Sequence, residues 1–145
     1  MSDVKKGDHY QIIWLVRRLF RALSHKSNEG TQKLGVSVAD RAVMEFLYPD
    51  KNLSVPEIAE LYKVSRQHIQ TTVNNLIENK LAEPKENIRH KRSPLIALTK
   101  AGVKRFESVL EGEQQVIEEI FSDISDRNIK ITEKTLKTLL ENLTR

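Results

Sequence analysis

The sequence contains no cysteine. That absence excludes disulfides, thiol redox sensing and thiolate-bound zinc. Glycine and proline are scarce, five and four in 145 residues, and they form neither a phosphate-cradling loop nor a nucleophile elbow. No enzymatic activity is therefore expected. Long apolar runs are missing too. The longest near the N-terminus, Ile12 to Val16, is closed off by Asp8 and by Arg17 and Arg18, far short of the roughly 20 residues of a membrane span. Lys5 and Lys6 imitate the basic start of a signal peptide, but no small-residue cleavage site follows, so a cytoplasmic protein is expected. None of the four histidines, His9, His25, His68 and His90, has a His or Cys partner at ligand spacing. Neither a metal nor a cofactor is anticipated.

What is present is charge, unevenly placed. The chain is 39% apolar and 30% charged, with a net charge of +4. Its length is that of one domain, able to bury roughly 68–70% of its unfolded surface. Residues 62–105 hold 10 basic and 3 acidic side chains, whereas residues 106–145 hold 5 and 9. A cationic block between more neutral and acidic neighbours suits a phosphate-bearing partner, although a merely solvated basic face has the same composition.

The apolar periodicity predicts a mainly α fold. A first helix over 10–24 carries Tyr10, Ile12, Ile13, Leu15, Val16, Leu19, Phe20 and Leu23 on two adjoining stripes. A helix apolar over so much of its circumference needs a second partner. Residues 25–36, with Gly30 and Gly35, read as a polar loop. Ser37 caps a helix over Val38–Leu47 with Ala42, Val43, Phe46 and Leu47 on one face, and Tyr48-Pro49-Asp50 stops it. Ser54-Val55-Pro56-Glu57 is a capping box. The short helix it opens runs through Leu61, with Ile58, Ala59 and Leu61 apolar. Ser65 caps the next helix, to about Asn79, which packs Ile69, Val73, Leu76 and Ile77. Leu81-Ala82-Glu83 and Leu95-Ile96-Ala97-Leu98 read as strands around a basic loop from Lys85 to Ser93. Thr99 caps a long helix from about Lys100, and a last helix follows Thr132 with Leu136, Leu139, Leu140 and Leu143 apolar.

Helix, helix, turn, helix, strand, charged loop, strand is the order of a winged helix-turn-helix, whose second motif helix enters the DNA major groove. Opposite the packed side of residues 66–79 lie Gln67, Thr71, Asn74, Asn75 and Glu78, with His68 and Gln70 at the edges. Gln and Asn can pair bidentately with adenine, and Thr can meet a thymine methyl. Gln67, His68, Gln70, Thr71 and Asn74 are the candidate base readers. Ser54, Lys63, Ser65, Arg66 and Lys91 are candidates for phosphates. On the loop with Lys85, Arg89 and Arg92 are candidates for the minor groove, where the potential is most negative.

The chain resembles the MarR family of transcriptional regulators over essentially its full length. The resemblance rests on Ser54-Val55-Pro56-Glu57-Ile58-Ala59, on Val64-Ser65-Arg66-Gln67, and on Asn87-Ile88-Arg89-His90-Lys91-Arg92, which stands where the family has an Asp-x-Arg-Asp-x-Arg wing. Leu98-Thr99-Lys100-Ala101-Gly102 then matches its Leu-Thr-x-x-Gly. It implies a homodimer whose regions 1–36 and 101–145 dimerise around a DNA-binding region 37–100, all one intertwined domain. It further implies repression at a pseudo-palindromic operator and release by a small-molecule effector. Tyr10, Trp14, Arg17 and Arg18 are candidate effector contacts, although such residues more often serve as dimer packing. This sequence departs from the family at His90, which replaces the second wing aspartate, at Thr71 and Asn75, where arginine is frequent, and at Lys80, where glycine is frequent. A winged helix used for protein contact, or a non-specific architectural DNA binder, is the alternative reading.

Overall fold

The computed structural model describes residues 7–145; Lys5, Lys6 and the rest of residues 1–6 lie outside the described residues. The chain forms two compact units that divide between Glu113 and Gln114. The first contains helices α1 (Asp8–Gln32), α2 (Val38–Leu47), α3 (Val55–Tyr62) and α4 (Arg66–Glu78), and strands β1 (Leu53–Ser54), β2 (Ala82–Lys85) and β3 (Leu95–Leu98). The division falls within α5 (Lys100–Phe121), and the second unit also holds α6 (Asp126–Leu143).

Short side-chain caps start five of the six described helices. The Ser37 hydroxyl accepts from the Asp40 amide at 3.0 Å, while the Asp40 carboxylate accepts from the Ser37 amide at 3.1 Å. Ser54 and Glu57 repeat the arrangement at the start of α3. Ser65 accepts from the His68 amide at 3.1 Å, and Thr99 accepts from the Gly102 amide at 3.0 Å. Each contact satisfies an amide that the first helical turn would otherwise leave without a partner.

The core gathers where these helices cross. Val43, Met44 and Leu47 of α2, Ile58 of α3, and Ile69, Val73 and Leu76 of α4 pack with Ile96 of β3 and with Phe106 and Val109 of α5. Met44 belongs to the buried face of α2 beside the residues expected there. Leu61, expected on the apolar side of α3, is instead 58% exposed, because Ile58 and Ala59 already turn the buried arc of that short helix inward.

Two helices run longer than their sequence signals suggest. The expected loop over 25–36 is reduced to residues 33–36: α1 continues through Gly30 to Gln32. Glycine inside a helix costs about 1 kcal/mol relative to alanine, and tertiary contacts offset it. Thr31 is buried and donates to the Ser27 carbonyl, Ser27 donates to Glu113 at 3.4 Å, and Arg105 donates to the Leu34 carbonyl at 2.6 Å. Beyond Gln32 the chain turns over residues 33–35, ending at Gly35, whose φ of +69° is left-handed. Helix α6 begins at Asp126 rather than after Thr132, since the Ser125 hydroxyl caps it by accepting from the Asn128 amide at 3.2 Å.

The sheet is antiparallel with strand order β1-β3-β2. β1, without a signal of its own in the sequence, pairs Leu53 with Ile96 and Ser54 with Leu95. β2 extends through Pro84 and Lys85, so Lys85 ends a strand instead of standing on the loop. Proline is tolerated there because β2 is an edge strand.

Gly102 shows why glycine follows the cap of α5. A Cβ at that position would lie 1.9 Å from the Leu81 carbonyl oxygen. The Thr99 hydroxyl meanwhile donates to the Lys80 carbonyl at 2.7 Å, so the end of α4 and the start of α5 are drawn together at the base of the hairpin.

Candidate nucleic-acid interface

The turn between α3 and α4 is tight because Lys63 adopts a left-handed conformation, φ 60° and ψ 45°. The Val64 amide there returns to the Ala59 carbonyl at 3.2 Å. Beyond the turn, α4 buries Ile69, Thr72, Val73 and Leu76 and leaves Gln67, His68, Gln70, Thr71 and Asn74 exposed. All five base-reading candidates thus share the solvent side of one helix. Gln70 and Asn74 are linked, the Gln70 amide donating to Asn74 Oδ1 at 2.8 Å. Asn75 is turned towards α2, its amide nitrogen 3.4 Å from Asp40 Oδ1. Lys80 itself takes the left-handed position after α4, with φ 62°, while Asn79 stays right of it at φ −84°.

The five phosphate candidates are not equally accessible. Arg66 and Lys91 are exposed. Lys63 is exposed and bonded through Nζ to Glu60 at 2.8 Å. That hydrogen bond, with the attraction between the charges, holds the Glu60 carboxyl below its ordinary pKa. Ser65 is exposed but engaged as the α4 cap. Ser54 is only 4% exposed, and its hydroxyl is committed to Glu57. Its amide also donates to Glu57, at 3.3 Å, so Ser54 has no free donor to offer a phosphate.

Between β2 and β3 the chain forms a braced loop. Asn87 is buried; its Nδ2 donates to the Ser93 carbonyl at 2.8 Å, and its Oδ1 accepts from the Arg89 amide at 3.2 Å. The Ser93 amide closes the loop on the His90 carbonyl at 3.0 Å. Arg89, Lys91 and Arg92 all project into solvent. A cleft of about 760 Å³ separates this loop from the starts of α3 and α4, with Arg66 on one wall and Arg89 and His90 on the other. The structure therefore brings two phosphate candidates, Ser54 and Arg66, and one groove candidate, Arg89, to the same cleft. The role of Asn87 as a clamp escaped the sequence reading. Its only local signal is a short amide two residues ahead of Arg89, the spacing of an Asx turn.

The four effector candidates lie along the first turns of α1, with Trp14, Arg17 and Arg18 exposed and Tyr10 half-buried. None of them lines the cleft beside the wing. His25 reaches Glu29 on its own helix at 3.3 Å, and among the described residues no group of His, Asp and Glu could hold a metal ion. No helix of the described residues is long and apolar enough to cross a membrane.

No family profile matches the sequence. An uncharacterized protein of Mycobacterium tuberculosis is 29% identical over 91 residues, which are 63% of this chain and 64% of that protein's length. The HTH-type transcriptional repressor MdtR of Bacillus subtilis is 25% identical over 129 residues, 89% of this chain and 78% of that one. The solved structure of a MarR-family transcriptional regulator from Silicibacter pomeroyi superposes with a TM-score of 0.83 at 17% identity, covering 98% of this chain and 94% of that one. The fold is that of the MarR-family regulators. Within the MarR fold, α3 and α4 are the helix-turn-helix, and the Asn87–Ser93 loop is the wing. In place of the family's second wing aspartate stands His90, which is exposed beside the cleft.

Proposed function

We propose that this protein is a homodimeric regulator of transcription that binds double-stranded DNA sequence-specifically, and that it represses until a small-molecule effector releases it. The observation that carries the proposal is the pairing of two surfaces in one unit. The exposed face of α4 offers amides, a hydroxyl and an imidazole to base edges, and a braced cationic wing stands across a single cleft from the start of that helix. Residues 65–75 read each half-site in the major groove. Arg66, Lys63, Ser65 and Lys91 fix the register on phosphates, and Arg89 and Arg92 enter the adjacent minor groove.

Dimerisation is supported by unpartnered apolar surface in each unit. On α1, Leu15, Leu19 and Phe20 are each more than half exposed. No residue of α6 is buried, and Leu140 and Leu143 are 63% and 80% exposed. Such surface is costly to leave in water, and a second copy would cover it. Regions 1–36 and 101–145 would then dimerise while 37–100 meets DNA. The repressive sign follows the Bacillus relative. Effector contact falls to Tyr10, Trp14, Arg17 and Arg18, where an arginine would meet an acidic group.

The test is selection of genomic fragments by the purified protein at about 0.15 M salt, where non-specific attraction is already screened. One enriched pseudo-palindrome is expected, with half-sites about 34–36 Å apart. Binding with a steep salt dependence but no preferred sequence would instead make the protein an architectural binder. Absence of DNA binding would favour a winged helix used for protein contact.

A further inference from the structure

Among the described residues, Ile88 is the most exposed large apolar side chain, at 88%. The other strongly exposed apolar residues stand mainly on α1, α5 and α6, where they form stripes. Ile88 stands apart from them, on the wing. Its exposure is not that of a slack loop. The residue before it, Asn87, is buried and bonded to both Ser93 and Arg89, so the backbone on either side of Ile88 is pinned and the side chain is held outward. Folding alone gains nothing from an isoleucine there, since it takes no part in the core.

The surroundings restrict what it can meet. Arg89, Lys91 and Arg92 are its exposed neighbours, and Glu86 is the one nearby acid on the loop. A surface that draws in those cations and also offers apolar contact is a nucleic-acid groove, where phosphates line the rims and deoxyribose faces form the walls. Arg66 at the start of α4 shares the cleft with Ile88 and Arg89, so DNA seated on α4 runs past the wing.

We propose that Ile88 is an apolar minor-groove contact that enters DNA beside Arg89 and makes the protein prefer A·T pairs under the wing. This deepens, and rests on, the DNA-binding reading above. The chemical basis is the guanine amino group, which projects from the minor-groove floor of G·C pairs and is absent from A·T pairs. A branched aliphatic side chain fits against the smooth A·T floor. Against G·C the projecting amino group takes up the space that the side chain would fill. Apolar side chains serve this way in other minor-groove proteins, some by wedging between base steps. Here the contact is placed along the groove wall and floor.

The experiment uses the full chain and an operator recovered by selection, with the outer base pairs replaced one at a time by A·T, G·C or inosine·cytosine. Inosine lacks only the minor-groove amino group of guanine. Wild-type protein is expected to bind A·T and inosine·cytosine duplexes about tenfold more tightly than G·C at the wing-contacted pairs. Ile88→Ala should lose that difference and about tenfold in affinity for the A·T duplex, while its salt dependence and thermal midpoint stay those of the wild type. Arg89→Ala should instead lower the salt slope by about one. An Ile88→Ala protein that keeps both the affinity and the A·T preference overturns the proposal and leaves Ile88 to a protein contact. A lowered thermal midpoint with equal losses on every duplex also overturns it, by making the role structural. If wild-type protein shows no preferred sequence at all, the DNA-reading proposal fails together with this one, and that result is visible before any variant is made.

Discussion

Arg41 grips both carboxylate oxygens of Glu113, with Nε 2.5 Å from Oε1 and Nη2 2.7 Å from Oε2. The pair joins α2 to α5 across 72 residues of sequence, and both side chains are 22% exposed. Ser27 of α1 donates to the same Glu113 oxygen, and the guanidinium lies 5.7 Å from the centre of the Phe106 ring. The hydrogen bond and the opposite charge raise the Arg41 pKa above its ordinary value, against the cost of burial. Two parallel bonds to a partly dehydrated carboxylate are stronger than a surface ion pair. Glu113→Ala should therefore cost about 2 kcal/mol in urea unfolding, and Glu113→Gln, which keeps one acceptor, about half of that. A loss below about 0.5 kcal/mol for the alanine variant would show that the fork is a surface pair in energetic terms.

Gly102→Ala should be among the most damaging small substitutions in the chain. The new methyl would stand 1.9 Å from the Leu81 carbonyl oxygen, and that carbonyl already accepts from the Thr99 amide at 3.1 Å. Neither backbone can yield without opening the junction of α4 with α5. The expected loss is about 3 kcal/mol or more, read as a lower thermal midpoint or as failure to accumulate folded protein. A midpoint within a degree or two of the wild type would mean that α5 can slide away at little cost.

Gln70 and Asn74 should behave as one reading unit. Their 2.8 Å hydrogen bond leaves the Gln70 side-chain oxygen and its second N–H free for a base. A double-mutant cycle with alanine at each position, measured on the selected operator, should give a coupling energy of about 1 kcal/mol. Both single variants should relax preference at the same base pair. Additive losses at two different pairs would show that each side chain reads alone.

Two exposed ion pairs set a small acid-sensitive contribution. Hydrogen bonding to Lys63 lowers the Glu60 pKa, and hydrogen bonding to Lys137 at 2.6 Å lowers that of Glu133. A carboxyl whose folded pKa is depressed stabilises fully above its unfolded value and loses that contribution as pH falls through the folded one. The stability advantage of wild type over Lys137→Ala should thus shrink between about pH 6 and about pH 3, and should also shrink in 1 M salt. An advantage that grows on acidification would reverse the assigned sign. Because both glutamates are on the surface, the effect is a shift in slope and not a separate unfolding transition.

How much could be read along the chain depended on how far apart the cooperating groups lie. The caps at Ser37, Ser54 and Ser65 each join residues three apart, and the buried positions of α4 recur with the helical period. Such patterns are written in the sequence because local geometry alone produces them. The exposed polar side of α4 was legible for the same reason, being the complement of its packed side. The left-handed Lys80 could be anticipated from the helix end that it follows.

Contacts distant in sequence left no comparable trace. The extension of α1 through Gly30 depends on Glu113 and Arg105, and β1 exists only because β3 lies beside it. The hydrogen bond from Asn75 to Asp40 and the close approach of the Leu81 carbonyl to Gly102 are tertiary facts of the same kind. Even Ser54, a good phosphate candidate by type, is hidden by its own cap and by the strand it ends. The sequence by itself determined which segments become helices and which side of α4 carries polar chemistry, because those depend on periodicity and on groups within one turn. Only the tertiary structure decided where helices end, which polar groups remain free and how firmly the wing is held. Those outcomes follow from packing and hydrogen bonding between residues that meet only once the chain has folded.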